Sequence, residues 1–356
     1  APAPQGPGSG AAELLRAAGA DAGDAALLEP FLLASSLGCP FLVLSEGGFV
    51  EGLRAPAPEE FERLREVVAA YFERCEDDRA VLLVDFEGEM PGHGGFLATA
   101  ALRATEVLDP DTLAPRAAPE GALQVPGLLL DLRAAACVEL LRCVLENPEV
   151  TKLGWGADGD CKSLMYQELP VRLQMQPAAL VDTQLAHSPR GRRLGLGRAL
   201  ERVPRELLAG LPGKAQINFD AAHSRNRRAW VTPMSQRLFL YAVDDLHRIE
   251  AVLRSQAPSR GNYWGAAQAS QAVLEKISAD PCGVRDLRDW PKRLSREQGT
   301  KKVAMAVQAM RHLRSLGARR ASLGPRQKYA DQLEAEAASV LQEANVAVPA
   351  DLSFAD

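Results

Sequence analysis

The sequence predicts an α/β domain with an N-terminal extension and a helical C-terminal extension. Three observations carry this. Residues 80–85 (AVLLVD) form a short run of Val and Leu, the composition of a central strand covered on both faces. Strand-like segments come first, and helices then alternate with strands. Residues 236–255 form a long helix in which Leu238, Leu240, Tyr241, Leu246, Ile249 and Leu253 recur at helical spacing.

Taken in order, residues 1–25 are rich in Ala, Gly and Pro and read as a flexible linker or frayed end. Residues 26–78 are an N-terminal extension of no assignable role. Within it, residues 59–75 are helical, with Phe61, Leu64, Val67, Val68 and Tyr71 on one face. The domain proper spans residues 79–256. After its first strand, residues 96–103 and 105–108 supply the next two, and Asp109-Pro110 marks a turn. Residues 132–145 are a helix, 150–153 a strand, 160–168 a helix, 179–182 a strand and 198–208 a helix. Residues 257–356 are a helical, partly basic extension, basic near 301–316 and acidic near 331–344.

The 356 residues carry a formal charge of −5, which gives no overall pull toward nucleic acid. The distribution is uneven, however. Residues 190–228 and 285–328 are rich in arginine and poor in acids, a pattern shared by phosphate-tracking surfaces and by plain solvated faces. Six cysteines without a CxxC pair argue against a zinc ribbon or a disulfide framework. They fit an intracellular reducing compartment, the cytoplasm or nucleus, with an organelle left open. The most apolar stretch, residues 27–44, is broken by Glu29, Pro30, Ser35, Ser36, Gly38 and Pro40, so it reads as buried structure and no membrane is expected.

Three acidic sites stand out. Asp85-Phe86-Glu87 follows the first strand, and residues two apart on a strand address the same face while Phe86 turns toward the core. Alone, such a triplet is commonly a solvated strand end. Residues 152–160 (KLGWGADGD) run from a strand through a glycine-rich turn into a helix that begins with acids. An aspartate cap is the plain reading there. In Tyr241-Ala242-Val243-Asp244-Asp245, both aspartates share the tyrosine's helix face at i+3 and i+4, so spacing does not separate them.

In combination, these sites resemble the three exonuclease motifs of the DEDDy 3′–5′ exonuclease superfamily, the group of ribonuclease D and the Werner-type exonucleases. Asp85 and Glu87 match the first motif, Asp160 ends the second, and Tyr241 with Asp245 matches the third. Residues 181–186 (VDTQLA) resemble the family's D-T-x-x-A segment and 194–196 (LGL) its L-G-L helix start, and Trp230 with Pro233 precedes the third motif. The resemblance covers residues 80–255. It departs at Thr232, where the family often has arginine, in an insertion at about 110–127, and across 204–228.

The resemblance implies a ribonuclease H-like mixed sheet and a metal-dependent 3′–5′ exonuclease acting on single-stranded RNA or DNA ends, RNA slightly favoured. It implies two divalent cations, Mg or Mn, on Asp85, Glu87, Asp160 and Asp245, with Tyr241 orienting the attacking water. Hard carboxylate oxygens suit such ions. Carboxylates about 4 Å apart repel by about 1 kcal/mol per pair in water and about 4 kcal/mol at an effective dielectric of ~20, so gathering them favours cations. Asp158 competes with Asp160 for the second-motif role. Trp155 is a candidate base-stacking residue or a core one, and Arg225, Arg227 and Arg228 are candidate phosphate contacts or a basic loop. His247 reads as helix surface. The alternative reading is a catalytically inactive nucleic-acid-binding scaffold on the same fold, and the C-terminal extension is a candidate protein-docking segment under either.

Overall fold

The computed structural model describes residues 24–89, 96–105, 108–109, 126–167, 171–187, 193–213, 233–255, 262–279, 290–291, 294–296, 298–315, 324 and 327–346. In chain order the elements begin with α1 (Ala25–Leu28), β1 (Leu32–Ala34), β2 (Pro40–Leu44), α2 (Pro58–Asp77), β3 (Val81–Glu89), β4 (Phe96–Thr105) and β5 (Gly127–Asp131). They continue with α3 (Ala135–Leu145), β6 (Thr151–Gly154), α4 (Asp158–Tyr166), β7 (Leu180–Asp182), α5 (Thr183–Ala186) and α6 (Leu196–Leu200). The last are α7 (Gln236–Ser255), α8 (Asn262–Ala279), α9 (Gly299–Ser315) and α10 (Gln327–Glu343).

The strands form one mixed seven-stranded sheet in the order β1-β2-β5-β4-β3-β6-β7. β3, β4 and β5 are an antiparallel meander, and β6 and β7 then add parallel to β3 on its other side. This is the ribonuclease H-like α/β arrangement that the motifs imply. Residues 26–78 join the same sheet. β2 pairs parallel with β5, and β1 pairs antiparallel with β2. Gly127 makes that junction possible, because a Cβ there would lie 2.1 Å from the Phe41 ring of the neighbouring strand.

Alternation along β3 sorts its side chains between two layers. Leu82, Val84 and Phe86 face a core built with α2, α3 and α4, and Phe86 is the buried residue expected. Val81 and Leu83 face a second core built with α7. Each fully buried Leu or Val contributes roughly 1.5–3 kcal/mol, so β3, covered on both faces, anchors the fold. α8 straddles the β7 edge: Tyr263 and Ala266 enter one core, Leu274 and Ile277 the other. It thereby covers the unpaired side of β7, the usual remedy for a sheet edge. α9 and α10 share a separate apolar cluster with Trp290 and Leu294. Among the described residues, no helix is long and apolar enough to cross a membrane.

Two elements differ from expectation. The third strand of the meander is Gly127–Asp131, not residues 105–108, because β4 runs unbroken for 10 residues and Leu128–Leu130 bury fully against it. The helix expected at 198–208 splits into α6 and a 3-10 turn at Arg205–Leu208, since Pro204 cannot donate the backbone bond that would join them. Most of the insertion at 110–127 lies outside the described residues.

Candidate active site

The acids meet at the end of β3. Asp85 stands opposite Ala101 of β4, and Glu87 stands opposite Thr99. Between Glu87 and Gly88 the register shifts, since Gly88 pairs with Leu97 and leaves Ala98 as an extra residue on β4. Such a bulge bends the strand and re-aims its side chains. Gly88 is required there, because a Cβ would lie 2.0 Å from the Phe96 carbonyl oxygen and 2.8 Å from the Leu97 Cα.

α7 crosses the same face. Asp85, Glu87 and Asp245 each place a carboxylate oxygen within 4.8 Å of the others. Asp245 is 3% exposed, and Asp85 and Glu87 are half-buried. The ambiguity between adjacent aspartates is thereby resolved in space. Asp244 instead accepts hydrogen bonds from the Ser36 backbone N–H at 3.0 Å and its hydroxyl at 2.6 Å, away from the group.

The second motif is shaped by a turn. Gly156 adopts φ +72°, a backbone that L side chains rarely take. The Asp182 carboxylate accepts from the Gly156 N–H at 2.8 Å and caps α5 at Gln184, and the Thr183 hydroxyl donates to the Gly154 carbonyl at 2.7 Å. α4 therefore starts with Asp160 turned toward Asp85. Burial first, then repulsion from Asp85, Asp182 and Asp158, pushes the Asp160 carboxyl well above the usual range. Asp158 points elsewhere and pairs with Arg193 at 2.8 Å.

Tyr241 lies against the group. The Glu87 carboxylate, then burial, then Asp245 and Asp85, hold its phenol protonated far above its ordinary pKa, with Arg248 opposing. Arg248 is a participant that sequence reasoning missed. Only 1% exposed, it donates to Asp245 at 2.8 Å and to the Pro212 carbonyl at 3.0 Å. Its i+3 spacing from Asp245 was the available signal. This buried cation offsets part of the gathered negative charge.

Trp155 follows β6 and is half-buried. Its Nε1 donates to the Leu194 carbonyl at 3.2 Å, and its ring stacks on His187 at 5.6 Å. Tyr263 supports His187 from below through a 3.0 Å hydrogen bond to Nε2. His247 is not on the helix surface. It is 3% exposed, bonded through Nε2 to the Ser35 hydroxyl at 2.9 Å and packed edge-on to Phe41, because residues around β1 cover the outer side of α7. Arg225, Arg227, Arg228, Trp230 and Thr232 lie outside the described residues.

The donor set fits a hard divalent cation, being three carboxylate oxygens without sulfur or imidazole.

No protein-family model matches the chain, and no curated protein matches it. Solved structures do. It is similar to ribonuclease D from Trypanosoma brucei in complex with RNA, at 14% identity and TM-score 0.44 over 76% of this chain and 73% of that one. The catalytic core of RRP6 from the same organism is similar at 16% identity and TM-score 0.41, over 87% and 83% of the two chains. NrnC from Brucella melitensis, with bound Mg²⁺, is similar at 15% identity and TM-score 0.35, over 58% and 88%.

Proposed function

We propose that the chain is a metal-dependent 3′–5′ exonuclease that hydrolyses phosphodiester bonds at nucleic-acid 3′ ends, with RNA slightly favoured over DNA. The supporting observation is convergence. Acids from β3 and α7 bring their oxygens within 4.8 Å of one another, Tyr241 interacts electrostatically with all three, and Asp160 does so with Asp85. When bound, two Mg²⁺ or Mn²⁺ ions would supply charge stabilisation of the phosphate and acidify the attacking water.

The chain's own residues divide the remaining work. By the resemblance, Asp85, Glu87 and Asp245 would hold an ion that activates the water, and Asp85 with Asp160 would hold one that steadies the leaving group; the Asp85 carboxylate lies within 4.8 Å of Glu87 and Asp245 and repels Asp160. Tyr241 keeps its proton throughout the neutral range, so its hydroxyl orients the water as a hydrogen-bonding group and does not act as a base. The Trp155 ring, held by Leu194 and His187, offers a platform for the terminal base, and Arg225, Arg227 and Arg228 are assigned to phosphate contact. The C-terminal helical extension, residues 257–356, is a candidate protein-docking segment.

The test is stepwise shortening of a 3′-extended, end-labelled oligonucleotide in Mg²⁺ or Mn²⁺, comparing RNA with DNA. Asp85→Asn abolishes shortening while the circular dichroism spectrum is retained. Undiminished activity in that variant rejects the assignment. Salt-dependent RNA binding without any degradation by the wild-type chain selects the scaffold reading instead.

A further inference from the structure

We propose that Ser270 of α8 is a positioning residue for Asp160, and so for the cation on the second-motif side, a role that rests on the nuclease reading and extends it. α8 lies beyond residues 80–255, which carry the motifs. Its contacts nevertheless return to the second motif at a fixed interval. The Tyr263 hydroxyl is hydrogen-bonded to His187 Nε2 at 3.0 Å, and the Ser270 hydroxyl accepts from the Asp182 backbone N–H at 2.8 Å. The Ile277 carbonyl then accepts from the Tyr166 hydroxyl at 3.1 Å. Seven residues separate each contact from the next, nearly two helical turns, so they form one stripe with about 10 Å between neighbours.

Each contact holds a different part of the motif. His187 stacks on the Trp155 ring, Tyr166 ends α4, and Asp182 fixes the turn between Trp155 and α4. The middle contact bears most directly on the acids. Asp182 Oδ1 accepts from the Gly156 N–H at 2.8 Å and from the Gln184 N–H at 3.0 Å. The Gly156 turn runs straight into α4, whose first three residues are Asp158, Gly159 and Asp160. A shift of Asp182 therefore carries the start of α4, and the Asp160 carboxylate, with it.

Ser270 is what holds Asp182 from outside the sheet. β7 is an edge strand, and Asp182 is only 3% exposed, so water does not replace a lost acceptor for its backbone N–H. Ser270 supplies that acceptor while its own proton goes to the Ala266 carbonyl at 2.7 Å, which turns the oxygen lone pairs toward Asp182. Packing gives no reason for a hydroxyl here. The residue is buried, α8 otherwise brings Ala266, Leu274 and Ile277 to the interior, and a buried polar group costs free energy unless it is bonded. The bond to Asp182 accounts for the serine.

The test counts the Mn²⁺ held by the full chain, from the paramagnetic resonance of the free ion, with and without uridine 5′-monophosphate as a stand-in for product. The wild type holds two ions. Ser270→Ala keeps the tighter one, on Asp85, Glu87 and Asp245, and binds the weaker about tenfold less tightly, the usual loss when a group that orients a metal ligand is removed. Ser270→Cys fills the same space, accepts hydrogen bonds only weakly and shows an intermediate loss, so the outcome does not depend on Ser270→Ala folding. Ser270→Thr keeps the hydroxyl and matches the wild type. Leu274→Ala, one turn further along α8, lowers the melting temperature and leaves both ions as they were. In turnover, Ser270→Ala raises the Mn²⁺ requirement while KM for oligouridylate is unchanged. Wild-type ion affinities in Ser270→Ala and Ser270→Cys, a loss in Ser270→Thr or Leu274→Ala equal to that in Ser270→Ala, or a wild-type chain that holds fewer than two ions overturn the proposal. A wild-type chain that holds two ions and shortens no oligonucleotide defeats the nuclease reading alone, and the ion affinities still decide the role of Ser270.

Discussion

Asp244 and Asp245 are neighbours on one helix, both buried, and chemistry on opposite sides separates them. Ser36 satisfies the first with two hydrogen bonds, while Arg248 and the β3 acids surround the second. Lys152 shows the same dependence on surroundings. It is 0% exposed, its ammonium donates to the Asn147 carbonyl at 2.6 Å, and burial pulls its pKa down to about 7. Between about 7 and the unfolded value of 10.5, the unfolded chain binds more protons than the folded one, so stability rises with pH across that window. Lys152→Met removes this penalty. The melting-temperature advantage of the variant is expected to be largest near pH 6 and to shrink as pH approaches about 10. A difference that stays constant with pH would show that Lys152 is not desolvated as described. At this scale the resemblance to the three motifs singled out Asp85, Glu87, Asp160, Tyr241 and Asp245, and the folded chain brings the carboxylates of Asp85, Glu87 and Asp245 within 4.8 Å of one another. His247 was illegible, because what decides its burial comes from a residue more than 200 positions earlier, Ser35, while Arg248 left only its i+3 spacing from Asp245 as a signal.

The element that sets the geometry of the site is β3 with the bulge on its neighbour β4. Asp85 and Glu87 lie two apart on β3 and address the α7 face together, and the register shift follows at Gly88, where β4 carries the extra Ala98. Gly88→Ala forces the new methyl into the Phe96 carbonyl, and the ladder must open at the bulge. Overpacking of this kind typically costs about 1–3 kcal/mol. Activity is expected to fall further than stability, because Glu87 moves with the backbone. Assays well below the melting temperature distinguish the two, and full activity there would rule out a positioning role for the bulge. β3, β4, β6, β7 and α7 were readable from apolar runs and helical periodicity. β5 was not, since Gly127–Asp131 follows a long insertion and looks like any short apolar run until it pairs with β2 and β4. The polar residues within α7 also misled. Its residues 242–253 are buried on every side, so periodicity described only the face that meets the sheet.

For the whole molecule, gathering acids from distant segments is a cost that the fold carries before any cation binds. Asp85, Glu87 and Asp245 bring their carboxylates within 4.8 Å of one another with Arg248 as the buried counter-charge on Asp245, and burial first, then repulsion from Asp85, Asp182 and Asp158, raises the Asp160 pKa. A ligand that binds only the folded state stabilises it by RT ln(1 + [L]/Kd), about 2.7 kcal/mol at a hundredfold excess over Kd. Titrating Mg²⁺ or Mn²⁺ into the full chain is therefore expected to raise its melting temperature by several degrees, without any nucleic acid present. Asp85→Asn relieves repulsion, so its metal-free melting temperature should equal or exceed that of the wild type, while its response to the ions disappears. Asp244→Asn, which alters a buried carboxylate outside the group, should keep the wild-type response. A wild-type chain indifferent to both cations would mean that the acids are held together by Arg248 and burial alone. The proposed hydrolytic chemistry would then have lost its source of charge, whatever the oligonucleotide assays reported.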